Sequence, residues 1–302
     1  MVPVLTIFTI PKPFRGHNGI IQKNALGSWM ALEPRPDIIL CGHEEGIAGA
    51  AAGAGARQAP DIETSDYGTP LLSSAFGNAY RLGKNELFCF INADIILMGD
   101  FLAAIRRINL PKFLAVGQRW DLDVTGPLDF TRPDREAALR QALAERGKLH
   151  GKSGIDYFVF PRRLFGEIPA FAIGRGVWDN WLIYRACSLK APVIDITGAV
   201  TVIHQNHDYA HIKSPEGLLP AGSAADPKAP ERANNLRLAG GKDHAFTLEY
   251  ATHRLTDDGP RAYLTPRHIY FRLRAVPMLH RGLGFLLLFF KAFERLVRVL
   301  RS

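Results

Sequence analysis

Short apolar runs alternate with longer helix-permissive stretches along the first half of the chain. Val4–Ile10 is β-branched and apolar throughout, the pattern of a strand covered on both faces. PKPFRGHNG breaks it with two prolines and two glycines and reads as a loop. Asn18 is placed to cap a helix over Gly19–Leu32, which stops before Pro34 and Pro36. Asp37–Cys41 (DIILC) predicts a second buried strand, and the small residues that follow permit a helix weakened by glycine. Asp61–Thr64 predicts a short strand, and Thr69–Leu82 a helix with Pro70 in its first turn, where the missing N–H costs nothing. Leu87–Ile91 (LFCFI) is a third buried strand, Phe101–Ile108 a helix and Phe113–Val116 a strand.

This alternation predicts an α/β fold: a Rossmann-like, mostly parallel central sheet with helices on both faces and right-handed crossovers. Ligands of such sheets gather beyond the carboxyl ends of the strands. The loops at 11–18, 41–46 and 92–94 should therefore converge on one crevice. Residues 121–152 are polar and carry a charged helical piece, Asp134–Glu145, which suggests a flap or insertion. Tyr157–Phe160 returns to strand, Val177–Ala186 is helical and rich in Trp, and Pro192–Val202 holds one or two strands. From 213 to 243 the chain is rich in Pro, Gly, Ala and Asn, as in a long functional loop or connector. The expected organisation is a catalytic domain over 1–211, a loop-rich connector over 212–265 and a C-terminal helix over 266–302.

Net charge sharpens the picture. The 302 residues carry +8, but residues 268–302 hold seven Lys and Arg against the single acid Glu294, which accounts for six of those eight charges. The body is therefore almost balanced, which argues against a nucleic-acid partner. In the tail, apolar residues at 285, 286, 289, 293, 296, 297 and 300 follow helical steps, with Lys291, Arg295, Arg298 and Arg301 mainly elsewhere. An amphipathic helix of this kind suits an anionic membrane surface. The longest apolar run, Gly282–Phe290, is nine residues, against about 20 for a spanning helix. No signal peptide is recognised at the N-terminus. Cys41, Cys89 and Cys187 are too few and scattered for a disulfide framework or a zinc site, and read as buried thiols of a reducing compartment. A cytoplasmic protein, peripheral on the inner face of the membrane, is the expectation.

Five segments carry candidate chemistry. Asn92-Ala-Asp94 follows a buried strand, and a carboxylate there can hold a hard divalent cation against phosphates. His204-Gln-Asn-His207-Asp208-Tyr-Ala-His211 puts three imidazoles after an apolar strand. Trp178-Asp179-Asn180-Trp181 flanks a carboxylate with aromatic rings that would raise its proton affinity, as a general base requires. Lys12 and Arg15 in the first loop supply cations suited to a diphosphate, though the glycine spacing fits neither a Walker loop nor a dinucleotide fingerprint. Asp156, opening a strand, could bind an acceptor hydroxyl.

The order FINADI, SGIDYFVFPRRLF, VWDNWLIYRA, VIHQNHDY, over residues 4–211, resembles the nucleotide-diphospho-sugar glycosyltransferases of GT-A type, in the style of inverting family-two enzymes. The resemblance implies a GT-A fold and a divalent cation, Mn²⁺ or Mg²⁺, held by an Asp-x-Asp motif. Here Asn92 stands at the first position and Asp94 matches the second. It implies that Asp179 is the catalytic base and that His204 or His207 completes the metal site. The nucleotide would lie against Lys12, Arg15, His43 and Glu44, with Asn92 and Asp94 at the diphosphate. The acceptor, a glycan or lipid-linked hydroxyl, would meet Asp156, Trp178 and Trp181. The implied activity is sugar transfer from a nucleotide-diphosphate sugar, in surface glycan or glycolipid synthesis. A nucleotidyltransferase acting on sugar phosphates and a non-catalytic carbohydrate-binding protein are the alternatives.

Overall fold

The structure, a computed structural model, describes residues 5–207, 213–214, 217–218 and 228–263. The expected C-terminal amphipathic helix over 266–302 lies outside the described residues, as do Asp208 and His211. The elements run β1 (Leu5–Thr9), α1 (Gly16–Met30), β2 (Asp37–Cys41), α2 (Ile47–Gly53), β3 (Arg57–Ala59), α3 (Leu72–Leu82), β4 (Leu87–Ile91), β5 (Ile95–Leu97), α4 (Asp100–Arg106) and β6 (Leu114–Val116). There follow β7 (Trp120–Leu122), α5 (Arg135–Arg146), β8 (Lys148–Leu149), β9 (Tyr157–Pro161), α6 (Trp178–Ser188), β10 (Val193–Asp195), β11 (Val202–Gln205), β12 (Lys213–Ser214), β13 (Gly217–Leu218), α7 (Ala229–Leu238), β14 (His253–Thr256) and β15 (Gly259–Ala262).

Nine strands build the central sheet in the order β15-β14-β10-β6-β9-β4-β1-β2-β3. The pairs β1–β2, β1–β4, β2–β3, β6–β10 and β10–β14 are parallel, while β9 runs antiparallel to both neighbours and β15 closes a hairpin with β14. The mostly parallel α/β sheet expected from the alternation is what forms. Its strands are apolar on both faces because successive side chains point opposite ways and both sides are covered. Phe8, Phe88, Phe90, Phe158 and Phe160 enter a core with Phe76 of α3 and Trp178, Trp181 and Leu182 of α6. Ile7, Cys89, Ile91, Tyr157 and Val159 enter the opposite core with Trp29 of α1, Ile47 of α2 and Phe101 of α4. Burial pushes the thiols of Cys41 and Cys187 up to about 12, and that of Cys89 higher, so all three behave as apolar groups.

Several boundaries differ from expectation. The first helix starts at Gly16, whose φ of +54° suits glycine, so Asn18 lies inside its first turn rather than capping it. The strand expected at 61–64 forms instead as β3, paired with β2, and Pro60, which has no N–H to donate, stops it. Pro70 and Leu71 make bridges to Thr64 and Ala172, which delays α3 to Leu72. The stretch Pro192–Val202 resolves into two strands in different sheets. The expected connector over 212–265 is corrected in part: α7 lies within it, and the β14–β15 hairpin extends the central sheet beyond β10.

The segment read as a flap over 121–152 contributes β7 and β8 to a second sheet, β5-β11-β7-β8, with α5 laid against it. Ile96, Met98, Leu122, Val124, Leu139, Leu143 and Ile203 form its small core. Apolar residues hidden among the charges of this segment therefore anchor it. The chain passes from the central sheet to the second within three residues, Asn92 to Asp94, between β4 and β5.

Candidate active site

Asp94 sits at that crossing. β11 pairs antiparallel with β5 and parallel with β7, in a register that sets His204 opposite Ile95 on one side and Asp121 on the other. Side chains at paired positions share a sheet face, so the register brings His204 to Asp121, while Asp94 precedes β5 at the crossing next to them. The Nε2 atoms of His207 and His204 lie 3.1 and 3.8 Å from Asp94 Oδ2. Ligand atoms of Asp94, His204 and His207 all fall within 4.8 Å of one another. Both imidazoles, left open by sequence, thus meet the same carboxylate. Burial works against the Asp94 charge, but the His207 hydrogen bond, the two imidazoles and Lys12 outweigh it and hold the carboxyl below its ordinary range. Burial, assisted by Arg119 and opposed by Asp94, lowers His204 and favours its neutral, ligating form.

These residues fit a divalent cation by two tests. Asp94 Oδ1 is buried without a hydrogen-bond partner, a cost of about 1–3 kcal/mol unless something binds it. The donor set of one carboxylate and two imidazoles is also one that first-row divalent ions accept.

Beside the cluster lies a charged network that sequence reasoning missed. Arg119 is 7% exposed. It donates to Asp156 Oδ2, and its Nε donates to Asp121 Oδ1 at 3.1 Å. His150 Nδ1 lies 2.8 Å from Asp121 Oδ2. Burial raises the Asp121 carboxyl, but His150 and Arg119 outweigh burial and hold it below its ordinary range. The signal available was the alternation in QRWDLDV, which brings Arg119, Asp121 and Asp123 to one side of β7. α1 is a second support. Its buried Asn24 and Gln22 brace Gln205 and the Lys12 backbone: Asn24 Nδ2 donates to Gln205 Oε1 at 2.9 Å, and the Lys12 N–H donates to Gln22 Oε1 at 2.7 Å.

Asp156 is corrected. It is 7% exposed, Asn92 donates to its Oδ1 at 2.6 Å, and Arg119 takes its Oδ2. Both oxygens are engaged inside the protein, which leaves it a bracing group rather than an acceptor contact. Asn92, expected at the diphosphate, is turned to the same carboxylate. Trp178 and Trp181 are corrected too. At 5% and 8% exposed they are core residues, Trp178 against Phe90 and Phe158 and Trp181 against Phe171. Their rings are committed to the core on either side of Asp179 in the chain.

Asp179 occupies the first turn of α6. Burial, with Asp156 adding to it, raises its carboxyl from 3.8 to about 7. Its Oδ1 is buried without a hydrogen-bond partner. Asp156 and Arg119 act electrostatically on both Asp179 and His204, and Trp178, next to Asp179 in the chain, packs on Phe90 and Phe158, two residues before Asn92 and two after Asp156. The turn before α6 is strained: Gly174 and Gly176 have positive φ, and Val177, β-branched, has φ of +71°. α7 holds it. Fully buried Asn235 accepts from the Ala172 N–H at 2.9 Å and donates to the Ala172 and Gly176 carbonyls at 2.9 and 3.2 Å. Arg175 is fixed by Glu231 and by Thr69 Oγ1. Asn235→Ala is expected to lower stability by about 1–3 kcal/mol, read as a lower denaturant midpoint with an unchanged slope.

The expected nucleotide residues divide. Lys12 reaches Asp94 electrostatically. Arg15 is exposed and pairs with Glu45 at 3.6 Å, and the Phe14 N–H donates to the Glu45 carbonyl at 2.8 Å, so the first loop and the loop after β2 touch. His43 and Glu44 are exposed on that second loop, with His43 Nδ1 3.3 Å from the Pro60 carbonyl.

No protein-family model and no curated protein matches the chain. Solved structures do. The chain is similar to glucosyl-3-phosphoglycerate synthase from Mycobacterium tuberculosis in complex with Mn²⁺, UDP-glucose and phosphoglyceric acid, at 14% identity, 80% of this chain and 81% of that one, and a TM-score of 0.45. The same enzyme with Mg²⁺ and UDP matches at 15% identity with the same coverage and a TM-score of 0.45. A mannosyltransferase from Pyrobaculum calidifontis in complex with GDP-mannose and Mn²⁺ matches at 14% identity, 80% of this chain and 76% of that one, and a TM-score of 0.44.

Proposed function

We propose that the protein transfers a sugar from a nucleotide-diphosphate sugar to an acceptor hydroxyl, with inversion at the anomeric carbon. The observation that carries this reading is a cation-competent cluster, Asp94, His204 and His207, together with a carboxyl near neutrality, Asp179, whose neighbour Trp178 packs on β4 and β9 near Asn92 and Asp156. Asp94 and the two imidazoles would hold the divalent ion, and a bound ion supplies charge stabilisation to a diphosphate leaving group. Lys12 adds positive charge beside Asp94, where the diphosphate would lie. Asp179 accepts the acceptor's proton on its buried carboxylate as the acceptor oxygen attacks, and a proton affinity near neutrality suits that task. Burial of the Asp179 carboxyl, with Asp156 adding to it, maintains that affinity.

The test is a thermal-shift and turnover panel of UDP-, GDP-, CMP- and dTDP-sugars, with and without Mn²⁺. One donor should stabilise the protein, by about 2.7 kcal/mol at a hundredfold excess over its dissociation constant. Slow release of free nucleotide diphosphate should accompany it. Stabilisation without turnover would leave a binding protein, and pyrophosphate release from a nucleoside triphosphate would favour a nucleotidyltransferase.

The acceptor reading rests on the sequence of the tail. Its cationic amphipathic pattern supports a peripheral site on an anionic membrane and an acceptor presented there, such as a lipid-linked glycan. Among the described residues, no helix is long and apolar enough to cross a membrane. A chain ending near Thr265 is expected to lose co-sedimentation with anionic vesicles, and retained binding would overturn this part of the reading.

A further inference from the structure

The proposed cation site is richer in nitrogen than its Asp-x-Asp resemblance implies, and a neighbouring carboxylate accounts for this. Asn92, at the place of the first carboxylate, gives its amide to Asp156 Oδ1 at 2.6 Å, and its own N–H to the Asp156 carbonyl at 2.9 Å. It is thereby committed away from Asp94. The donors that remain close are Asp94 and the Nε2 atoms of His204 and His207. His204 is 4% exposed, and its Nδ1 is buried 3.3 Å from Asp121 Oδ1. Arg119 at 3.1 Å and His150 at 2.8 Å fix Asp121 from two other directions. A metal-bound imidazole usually donates its second N–H to a carboxylate, which sets the tautomer and the ring plane.

We infer that Asp121 is the positioning residue of a site with two imidazoles and one carboxylate, and that this site selects first-row transition ions over Mg²⁺. The inference rests on the cation site of the proposed function but not on sugar transfer. His204 Nδ1 is buried without a hydrogen bond, 3.3 Å from Asp121 Oδ1, so Asp121 is the acceptor placed to take its proton once an ion binds Nε2. Imidazole favours Co²⁺, Zn²⁺ and Mn²⁺, whereas Mg²⁺ demands oxygen donors and keeps its water. With one carboxylate, little in the site compensates Mg²⁺ for dehydration.

The experiment is metal binding to the full chain without any sugar donor. Calorimetric titration should show Mn²⁺ binding at least about tenfold tighter than Mg²⁺, and Co²⁺ and Zn²⁺ tighter than Mn²⁺. Pulsed EPR of the Mn²⁺-bound protein should show coupling to two imidazole nitrogens, and to one in His204→Ala. Asp121→Asn should weaken Mn²⁺ by about 10–100-fold and narrow the Mn²⁺ preference, whereas Asp129→Asn, on an exposed loop, should change neither. Equal Mn²⁺ and Mg²⁺ affinity, a single-nitrogen signature in the unaltered chain, or an Asp121→Asn protein with unchanged Mn²⁺ affinity each overturns the inference. The first two readouts need no variant, so an Asp121→Asn chain that does not fold leaves them decisive. Metal binding as described without sugar transfer would sink the proposed function and leave this inference standing.

Discussion

Asp179→Asn is expected to abolish measurable transfer and, above neutrality, to make the protein more stable. As the proposed base, the carboxylate contributes about 10²–10⁴-fold to turnover, and an amide cannot accept the proton. The stability effect has the opposite sign. Burial raises the folded carboxyl from 3.8 to about 7, with Asp156 adding to the rise. Between those values the folded chain keeps a proton that the unfolded chain has released, so stability falls as pH rises through this window. Below pH 3.8 both forms hold the proton and Asp179 costs nothing by this route. Above pH 7 the penalty is complete, roughly 1–4 kcal/mol at 1.36 kcal/mol per unit with solvent screening allowed for. Melting curves of the two proteins should converge in acid and separate by several degrees at pH 8, with the variant higher. Turnover of the unaltered protein should rise with pH to a plateau, with its midpoint near 7. Undiminished turnover in Asp179→Asn would remove Asp179 from the chemistry, and melting curves that do not separate at pH 8 would remove the buried charge.

Arg119→Met is expected to cost about 3–5 kcal/mol at neutral pH, because it strands two carboxylates beside a core. Arg119 is 7% exposed and holds Asp156 and Asp121 together. The loss should shrink in acid. Asp121 is held below its ordinary range, so its contribution is present above pH 3.8 and fades as pH falls further. Adding Asp156→Asn removes one stranded charge and should restore part of the stability, a coupling that a double-mutant cycle measures. Denaturant midpoints for the four proteins at pH 7 and pH 3 decide it, and additive losses would mean that Arg119 and Asp156 do not act as a pair. Because Arg119 also lowers the proton affinity of Asp179, the rate profile of any folded Arg119→Met protein should move to higher pH.

The fold was more legible than the site. LTIFT, DIILC and LFCFI declare buried strands by composition alone, and the helices between them follow from spacing. Asp94, Asp179 and the late imidazoles stood out because each follows or opens a strongly apolar element. Arg119, Asp121 and His150 did not stand out, since they lie in a polar stretch whose few apolar anchors, Leu122, Val124, Leu139 and Leu143, are easily read as surface residues. Asp156, Trp178 and Trp181 have the right chemistry for an acceptor, but Asp156 meets Asn92 and Arg119, and Trp178 meets Phe90, all distant in sequence. Local pattern reports the type of a residue; whether its oxygen or ring is already engaged depends on pairing across the sheet. The first-loop helix began early for a related reason, since glycine at position 16 accepts a backbone that the cap rule assigns to Asn18.

Asn235 gives the molecule a property of a different kind. The turn that presents the general-base candidate is clasped by a helix more than fifty residues downstream, while the same downstream stretch supplies the outer hairpin of the main sheet. The stretches before and after residue 211 are therefore not exchangeable modules. A chimera joined there would keep Asp94, His204, His207 and Asp179 and yet import a foreign clasp, so any graft should keep 172–177 and 229–238 as one transplanted unit.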